Sequence, residues 1–595
     1  MNKQDKKVNE YGLFILSGLA IVVGIVAGFG AVVFRWMIAL FHNLFFFGTF
    51  SITYDATVHT NPSPWGAAII LVPVVGSFLV TYMVKNFAPE AKGHGVPEIM
   101  EAIYYKKGNV RPIVALIKSL ASAISIGSGG SVGREGPIIQ IGSSFGSTVG
   151  RLIKIQTWQR ITLIAAGAGG GIAATFNTPI GGILFAIEIM MQEVSVRTLV
   201  PVSLATVTSA YIGRTILGSS PAFHIPGIST RYFGITSPES LIMFLILGIL
   251  MGLVSAIYIK AVYKSEDFFN KTLHLNDYTR HAVGMLVVGL MMYILMATTG
   301  RYYIQGVGYA TIQDILSSHI QIIWLLLLLA ALKLIGVSLT LGSGASGGVF
   351  SPGLYMGATV GGAFGIFCQH LFPDMNIFPV AFAVAGMAGV ISGSTGAAMA
   401  AIVMIFEMTL DYNVVIPMTL TVAVSYGIRK MIIHDSIYTM KLARRGRHLP
   451  DALHTNYPHE VEAGDIMDST FQKVANTMKL KDIFKLLDNK KDLFWLLRCD
   501  KEGRVNGIIT KDEILTHRSQ NELLLTMSEL NFEKFETVDV DTNLYHITNI
   551  LSRSGSRLVL VLIEGHDTHI DNVAGVITRK HIFNTIEQSL ELFSG

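Results

Sequence analysis

GSGGSVGREGP, residues 127–137, is written a second time as GSGASGGVFSP, residues 342–352. At a fixed offset of 215, Gly127, Ser128, Gly129, Ser131, Gly133 and Pro137 meet Gly342, Ser343, Gly344, Ser346, Gly348 and Pro352. The match runs on through Gly142/Gly357, Gly146/Gly361 and Gly150/Gly365. Both copies lie in long apolar surroundings. Glycine and proline interrupting hydrophobic segments at corresponding places in two halves point to a midplane binding site in a transporter-like fold.

The repeat widens on either side. GHGVPEIMEAI (93–103) is echoed by GVGYATIQDIL (306–316), and AAGAGGGIAATFNTPIGGILFAIE (165–188) by VAGMAGVISGSTGAAMAAIVMIFE (384–407). The first pairing aligns Glu101 with Asp314, the second Glu188 with Glu407. Three blocks in the same order define two homologous halves, about 12–215 and 240–440.

Composition agrees. Hydrophobic residues make up 51% of the 595 and charged ones only 14%, against about 25% charged in soluble proteins. Apolar runs lie at 12–34, 67–84, 241–258, 283–297, 322–335 and 397–406, several of which approach or exceed the span of a bilayer, while 113–126 and 172–187 read as partial spans. The first run follows KQDKK without a small-residue cleavage site and is read as retained. Lys3, Lys6 and Lys7 precede the first span, and Lys441, Arg444, Arg445 and Arg447 follow the last, which predicts both termini in the cytoplasm. Two cysteines, Cys368 and Cys499, fall in unlike surroundings, and no metal-ligand cluster is found. HExxH does not occur and no nucleophile arrangement is read in the chain, so an enzyme is not expected.

Hydropathy drops near residue 441. The predicted organisation is a membrane domain over 1–445, a linker over 446–460, and two α/β modules over 461–522 and 523–595. LFWLLRCD (493–500) precedes GIITKDEI (507–514), and RLVLVLIE (557–564) precedes GVITRKHI (575–582). Each unit reads as a helix followed by strand, strand and helix.

Glu135 is the acidic residue that matters most. It is the only one between Glu101 and Glu188 and lies among Gly, Ser, Ile and Pro. A carboxylate at membrane depth costs about 2.5–3.5 kcal/mol on insertion scales, and such residues usually line functional pathways. Glycines around it let backbone N–H groups approach closely, and a half-helix beginning at Pro137 would add its positive end. The place suits an anion. A carboxylate there is a rival ligand: ionised it occupies the site, protonated it leaves, and a pH-sensitive gate results. The plainer reading is an Arg134–Glu135 pair at a loop surface. In the second copy Val349-Phe350 replaces Arg134-Glu135, keeping the backbone and removing the charge.

GREGP (133–137), GVFSP (348–352), GHGVPE (93–98) and GGILFAIE (181–188) resemble the signature segments of the CLC family of chloride channels and chloride/proton exchangers, and the tail resembles the paired CBS modules many members carry. The resemblance implies an all-α multi-span membrane protein of two inverted repeats with broken and half-helices, followed by a CBS pair. It implies a homodimer in the cell (plasma or inner) membrane, with a chloride pathway in each subunit and no required cofactor or nucleic-acid partner. Glu135 matches the gating glutamate. Gly133, Arg134 and Gly136 flank it in the anion site, Val349 and Phe350 match the positions whose amides hold the anion, and Tyr438 in SIYTMKLARR fits the tyrosine that reaches it.

Two departures carry weight. His94 stands where a serine hydroxyl commonly contacts the anion, and an imidazole N–H can donate in its place. The alternative is a histidine turned to a backbone carbonyl. Ile189 stands where exchangers usually carry an internal proton-passing glutamate. Either protons pass from Glu135 by another route, such as Glu188, or flow is channel-like or weakly coupled; conduction of another small anion, such as fluoride or nitrate, stays open. In the tail the resemblance implies an adenine nucleotide between the modules, with Thr510, Glu513 and Thr578 at the contact positions, but His581 replaces the second ribose-gripping acid.

Overall fold

The computed structural model describes residues 10–191, 195–226, 238–272, 275–375, 377–447, 461–489, 493–516, 524–530, 532–563, 565 and 567–592. The lysines at 3, 6 and 7 and residues 448–460 of the expected linker lie outside the described residues. The chain divides into two units, Met1–Leu449 and Pro450–Gly595, a few residues beyond the boundary expected at 445.

Among the described residues, six helices of the first unit are long and apolar enough to cross a membrane: Leu13–Phe47, Gly66–Phe87, Glu239–Thr272, Asp277–Thr299, Ile323–Ser343 and Val415–Ile432. Phe14, Phe29, Leu328 and Trp324 stand exposed on them, which suits hydrocarbon and not water. The first helix does not stop at residue 34. It runs unbroken for 35 residues, about 52 Å at 1.5 Å per residue, well beyond the roughly 30 Å of hydrocarbon.

Two expectations about the shorter pieces are corrected. The run at 172–187 is not one partial span. The helix Thr157–Phe176 ends where Asn177 turns left-handed at φ 63°, and a new helix opens with Pro179 at its first position. Its counterpart Pro379–Thr395 ends at Gly396, φ 84°, before Ala398–Thr409. Nor do half-helices begin at the repeated prolines. Helices Glu135–Ile153 and Phe350–Leu371, of 19 and 22 residues, each start two residues earlier. The first turn has no use for its N–H groups, so a proline fits anywhere within it.

The halves are inverted. Glu188, within the π-helical turn Ala186–Met191 that follows Pro179–Phe185, accepts hydrogen bonds from the N–H groups of Met399 (3.0 Å) and Ala400 (2.7 Å) at the start of Ala398–Thr409. Glu407, at the end of that helix, accepts from Ile180 (3.1 Å) and Gly181 (2.7 Å) at the start of Pro179–Phe185. Equivalent helices that cap each other in this way are antiparallel, so the repeats point in opposite directions through the membrane. The repeated glycines permit the packing. A Cβ on Gly142 would strike the carbonyl of Gly167 and the reverse, and Gly357 and Gly386 stand in the same relation in the other half.

The second unit holds two three-stranded sheets of one topology. Strands β1 (Phe471–Ala475), β2 (Trp495–Cys499) and β3 (Val505–Thr510) pair parallel then antiparallel, as do β4 (Phe535–Asp539), β5 (Leu558–Leu562) and β6 (Val573–Thr578). Trp495, Leu497 and Ile508 of one sheet pack with Leu558, Leu560 and Val576 of the other. The sequence reading missed β1 and β4, whose residues alternate weakly. Segments on either side of 522/523 also cross between the modules. Ala463 and Gly464 donate to the carbonyls of Thr542 and Val540 in the second module, while Met527 and Glu533 donate to Met478 and Ile508 in the first.

Candidate functional site

The two glycine sentences meet face to face. Gly133 donates its N–H to the Gly348 carbonyl at 2.8 Å and Gly348 returns the bond at 2.6 Å. This antiparallel bridge brings together the starts of helices Glu135–Ile153 and Phe350–Leu371, capped by Arg134 and Val349 in nearly the same conformation. Two more helices, Val96–Tyr105 and Tyr309–Leu316, begin close by after Gly95 (φ 86°) and Gly308 (φ 80°). No hydrogen bond among the described residues occupies the N–H groups of Glu135, Gly136, Phe350 or Ser351. Unpaired donors at helix starts carry partial positive charge and attract an anion.

Glu135 fills this place. It is 1% exposed, its Oε1 accepts from the Tyr309 hydroxyl at 3.1 Å and from the Ser351 hydroxyl, and its Oε2 has no partner. A Cβ on Gly133 or Gly348 would collide with Oε2, so the carboxylate lies over the bridge itself. The surface-pair reading fails. Arg134 is buried too, with its guanidinium 5.1 Å from the Tyr309 ring centroid and 5.8 Å from that of Phe176, and it reaches the Thr175 carbonyl. It lines a cavity of about 330 Å³ with Arg35, Arg214 and Asp55.

Of the expected anion ligands, Gly133 is corrected: its N–H is spent on Gly348 and its work is to let Glu135 approach. Gly136 keeps a free N–H and touches the His94 carbonyl, where no side chain would fit. Val349 and Phe350 lie at the facing helix start, with the Val349 carbonyl held by the Tyr258 hydroxyl at 2.8 Å. Tyr438 is buried with its ring 6.0 Å from that of His94. His94 is not turned to a carbonyl. Its Nε2 meets the Tyr263 hydroxyl at 3.3 Å and its Nδ1 has no partner. It lines a cavity of about 600 Å³ with Glu98, Glu101, Lys441, Arg445 and Arg447. Glu98 there pairs with Lys441 at 2.9 Å and Arg445 at 3.2 Å. Glu188 serves as the helix cap described above, both oxygens engaged, and Ile189 is buried.

Sequence reasoning missed Tyr309, Ser351 and Tyr263, and a matched pair of buried lysines. Lys118 donates to the carbonyls of Ala91 (3.0 Å) and Gly93 (2.6 Å), and Lys333 to those of Ile304 (2.9 Å) and Gly306 (2.7 Å). Their separation of 215 was the available signal. Each fixes, within its own half, the loop that leads into a site helix.

In the tail, Thr510 and Glu513 form a closed cap. Thr510 Oγ1 accepts from the Glu513 N–H, and Glu513 Oε2 accepts from the Thr510 N–H and hydroxyl, both at 2.9 Å. Thr578 and His581 repeat the arrangement, the His581 Nδ1 accepting the Thr578 N–H. Groups that would grip a ribose are thus turned to helix capping, a poor fit to a nucleotide. Burial holds the His581 imidazole below its ordinary range.

Comparison with known proteins agrees with this geometry. The family profile described as Voltage gated chloride channel matches residues 76–430, and the CBS domain profile matches 463–519. The chain is 30% identical over 396 residues to the H(+)/Cl(-) exchange transporter ClcA of Vibrio parahaemolyticus, covering 64% of this chain and 80% of that protein. It is 31% identical over 386 residues to the putative chloride channel protein ClcB-like of Ralstonia nicotianae, covering 64% and 86%. A slow cyanobacterial Cl-/H+ antiporter of known structure superposes with a TM-score of 0.63 at 26% identity, covering 73% of this chain and 99% of that one. A eukaryotic CLC transporter shares the fold over 96% of this chain, TM-score 0.60 at 18% identity. A family profile spanning more than half of the chain, laid over inverted repeats that meet at a glycine bridge, makes this protein a member of the CLC family, a multi-pass membrane anion-transport protein with a C-terminal CBS region.

Proposed function

We propose that the protein moves chloride through a separate pathway in each subunit of a homodimer, with Glu135 as the gate. One observation carries the reading: a buried carboxylate, held by the Tyr309 and Ser351 hydroxyls, lies over the glycine bridge between two facing helix starts whose first N–H groups are left unpaired. Protonation removes its charge and weakens its hold on the Tyr309 and Ser351 hydroxyls, so acid opens the pathway. The cationic Lys441–Arg447 side is assigned to the cytoplasm, and with it both termini and the CBS region.

Ile189 cannot carry a proton and Glu188 is spent on a cap, which supports channel-like or weakly coupled flow. A second reading, chloride/proton exchange, draws support from the exchange transporters among the relatives. Protein in chloride-loaded liposomes should release chloride when a potassium ionophore balances charge, and Glu135→Gln should flatten the pH dependence. Unchanged pH behaviour in that variant defeats the gate assignment. Uphill proton movement driven by a chloride gradient defeats the channel-like reading.

A further inference from the structure

The histidine beside the anion pathway has its hydrogen-bond roles fixed by its neighbour. Tyr263 has a single hydroxyl proton and donates it to the Ile437 carbonyl at 2.6 Å. Towards His94 the same oxygen offers only lone pairs, and His94 Nε2 lies 3.3 Å away. The ring therefore carries its hydrogen on Nε2. Nδ1 is left as a bare lone pair, buried and without a partner. A lone pair repels an anion, so neutral His94 cannot play the part of a hydroxyl donor. Protonated at Nδ1, it becomes a donor and a cation at once.

The surroundings do not supply a substitute. Lys441, Glu98, Lys118 and Arg445 are the charged groups that act on the ring. Glu98 is paired with Lys441 and Arg445, and Lys118 is turned to the carbonyls of Ala91 and Gly93. Tyr263 and Tyr438 face the ring from the other elements. The cavity that His94 lines gives a proton a way in.

We propose that His94 makes anion occupancy beside Tyr438 conditional on proton uptake. One proton adds to Nδ1 from the cavity, and the halide seats on the N–H so created; when the halide leaves, the proton returns to the cavity. The inference rests on the chloride-transport reading above and adds a proton-binding site that does not involve Glu135. By linkage, a proton that favours the anion is favoured by it to the same degree.

The test uses full-length Glu135→Gln protein, which lacks the other titratable rival, with chloride titrated calorimetrically in buffers of different ionisation enthalpy. The apparent enthalpy should track the buffer with uptake of about one proton per chloride, and affinity should fall about tenfold for each pH unit on the alkaline side. Adding His94→Ser, which supplies a neutral donor, should preserve chloride binding and abolish the buffer dependence. Adding Tyr263→Phe should also reduce it, because the ring is then free to carry its hydrogen on Nδ1. Chloride heat without buffer dependence in Glu135→Gln overturns the proposal, as does proton uptake that survives His94→Ser. An absence of chloride heat in Glu135→Gln would instead sink the chloride reading itself.

Discussion

Tyr309→Phe tests the gate at the bond that holds it. The substitution removes the hydroxyl that donates to Glu135 Oε1 at 3.1 Å and leaves the ring that packs against Arg134 and Phe223. A hydrogen bond to a charged group contributes about 1.5–3 kcal/mol. The distance is at the long end and Ser351 still donates to the same oxygen, so the lower figure applies. That is about a tenfold loss in the carboxylate's hold on its seat. At neutral or mildly alkaline pH, where the seated carboxylate limits flow, chloride efflux from liposomes should rise by up to about tenfold. The gain should shrink as acid opens the wild-type gate. In a Glu135→Gln background the substitution should change little, because the bond then has no charged partner. Equal effects of Tyr309→Phe with and without the carboxylate, or a fall in wild-type efflux at alkaline pH, would refute the assignment of Tyr309 as a latch.

Three further outcomes follow from the packing. Gly167→Ala drives a methyl into the Gly142 carbonyl and should lower stability by about 1–3 kcal/mol, read as a drop in melting temperature in detergent; an unchanged melting temperature would show that the crossing can relax. Glu188→Gln and Glu407→Gln each weaken a helix cap made by a carboxylate and should cost about 0.5–2 kcal/mol apiece, with similar values in the two halves because the caps are equivalent; a loss confined to one would contradict the reciprocal arrangement. In the tail, burial lowers the affinity of His581 and His546 for protons below the ordinary value of about 6.5. The unfolded chain then binds more protons than the folded one, so stability is full above that value and is lost as pH falls below it. Thermal unfolding of the tail, followed by the Trp495 fluorescence, should shift down on acidification, and less so in His581→Gln; an identical acid shift in the variant would remove His581 from the account.

The repeat was legible because glycine is read twice over. It marks the tight approach, as at Gly142 and Gly167, and it marks the place where a backbone must be bare, as at Gly136. Glu135 stood out because acids are scarce at membrane depth. What stayed hidden were partners brought in from distant segments. Tyr309 and Ser351 look like ordinary interior residues until the fold sets them 174 and 216 residues from Glu135 in sequence and in contact with it in space. Lys118 and Lys333 were hidden for another reason: a lysine in an apolar helix reads as a flank or an error unless the carbonyls that accept from it are known. The tail's β1 and β4 escaped because strands paired on one edge and half exposed need no strict alternation.

The glycine bridge has a consequence for why the two copies differ. The pseudo-two-fold axis that lays Glu135 over Gly348 would lay an acid at position 350 over Gly133, and two like charges would then face each other across one small void. A perfectly symmetric chain would carry that repulsion at its centre. A single carboxylate avoids it, and it then belongs to one of the two halves alone. If Glu135 gates the pathway as proposed, its directionality follows from broken symmetry: the duplicated scaffold supplies the seat, and the unequal pair Glu135 and Phe350 makes its two sides different.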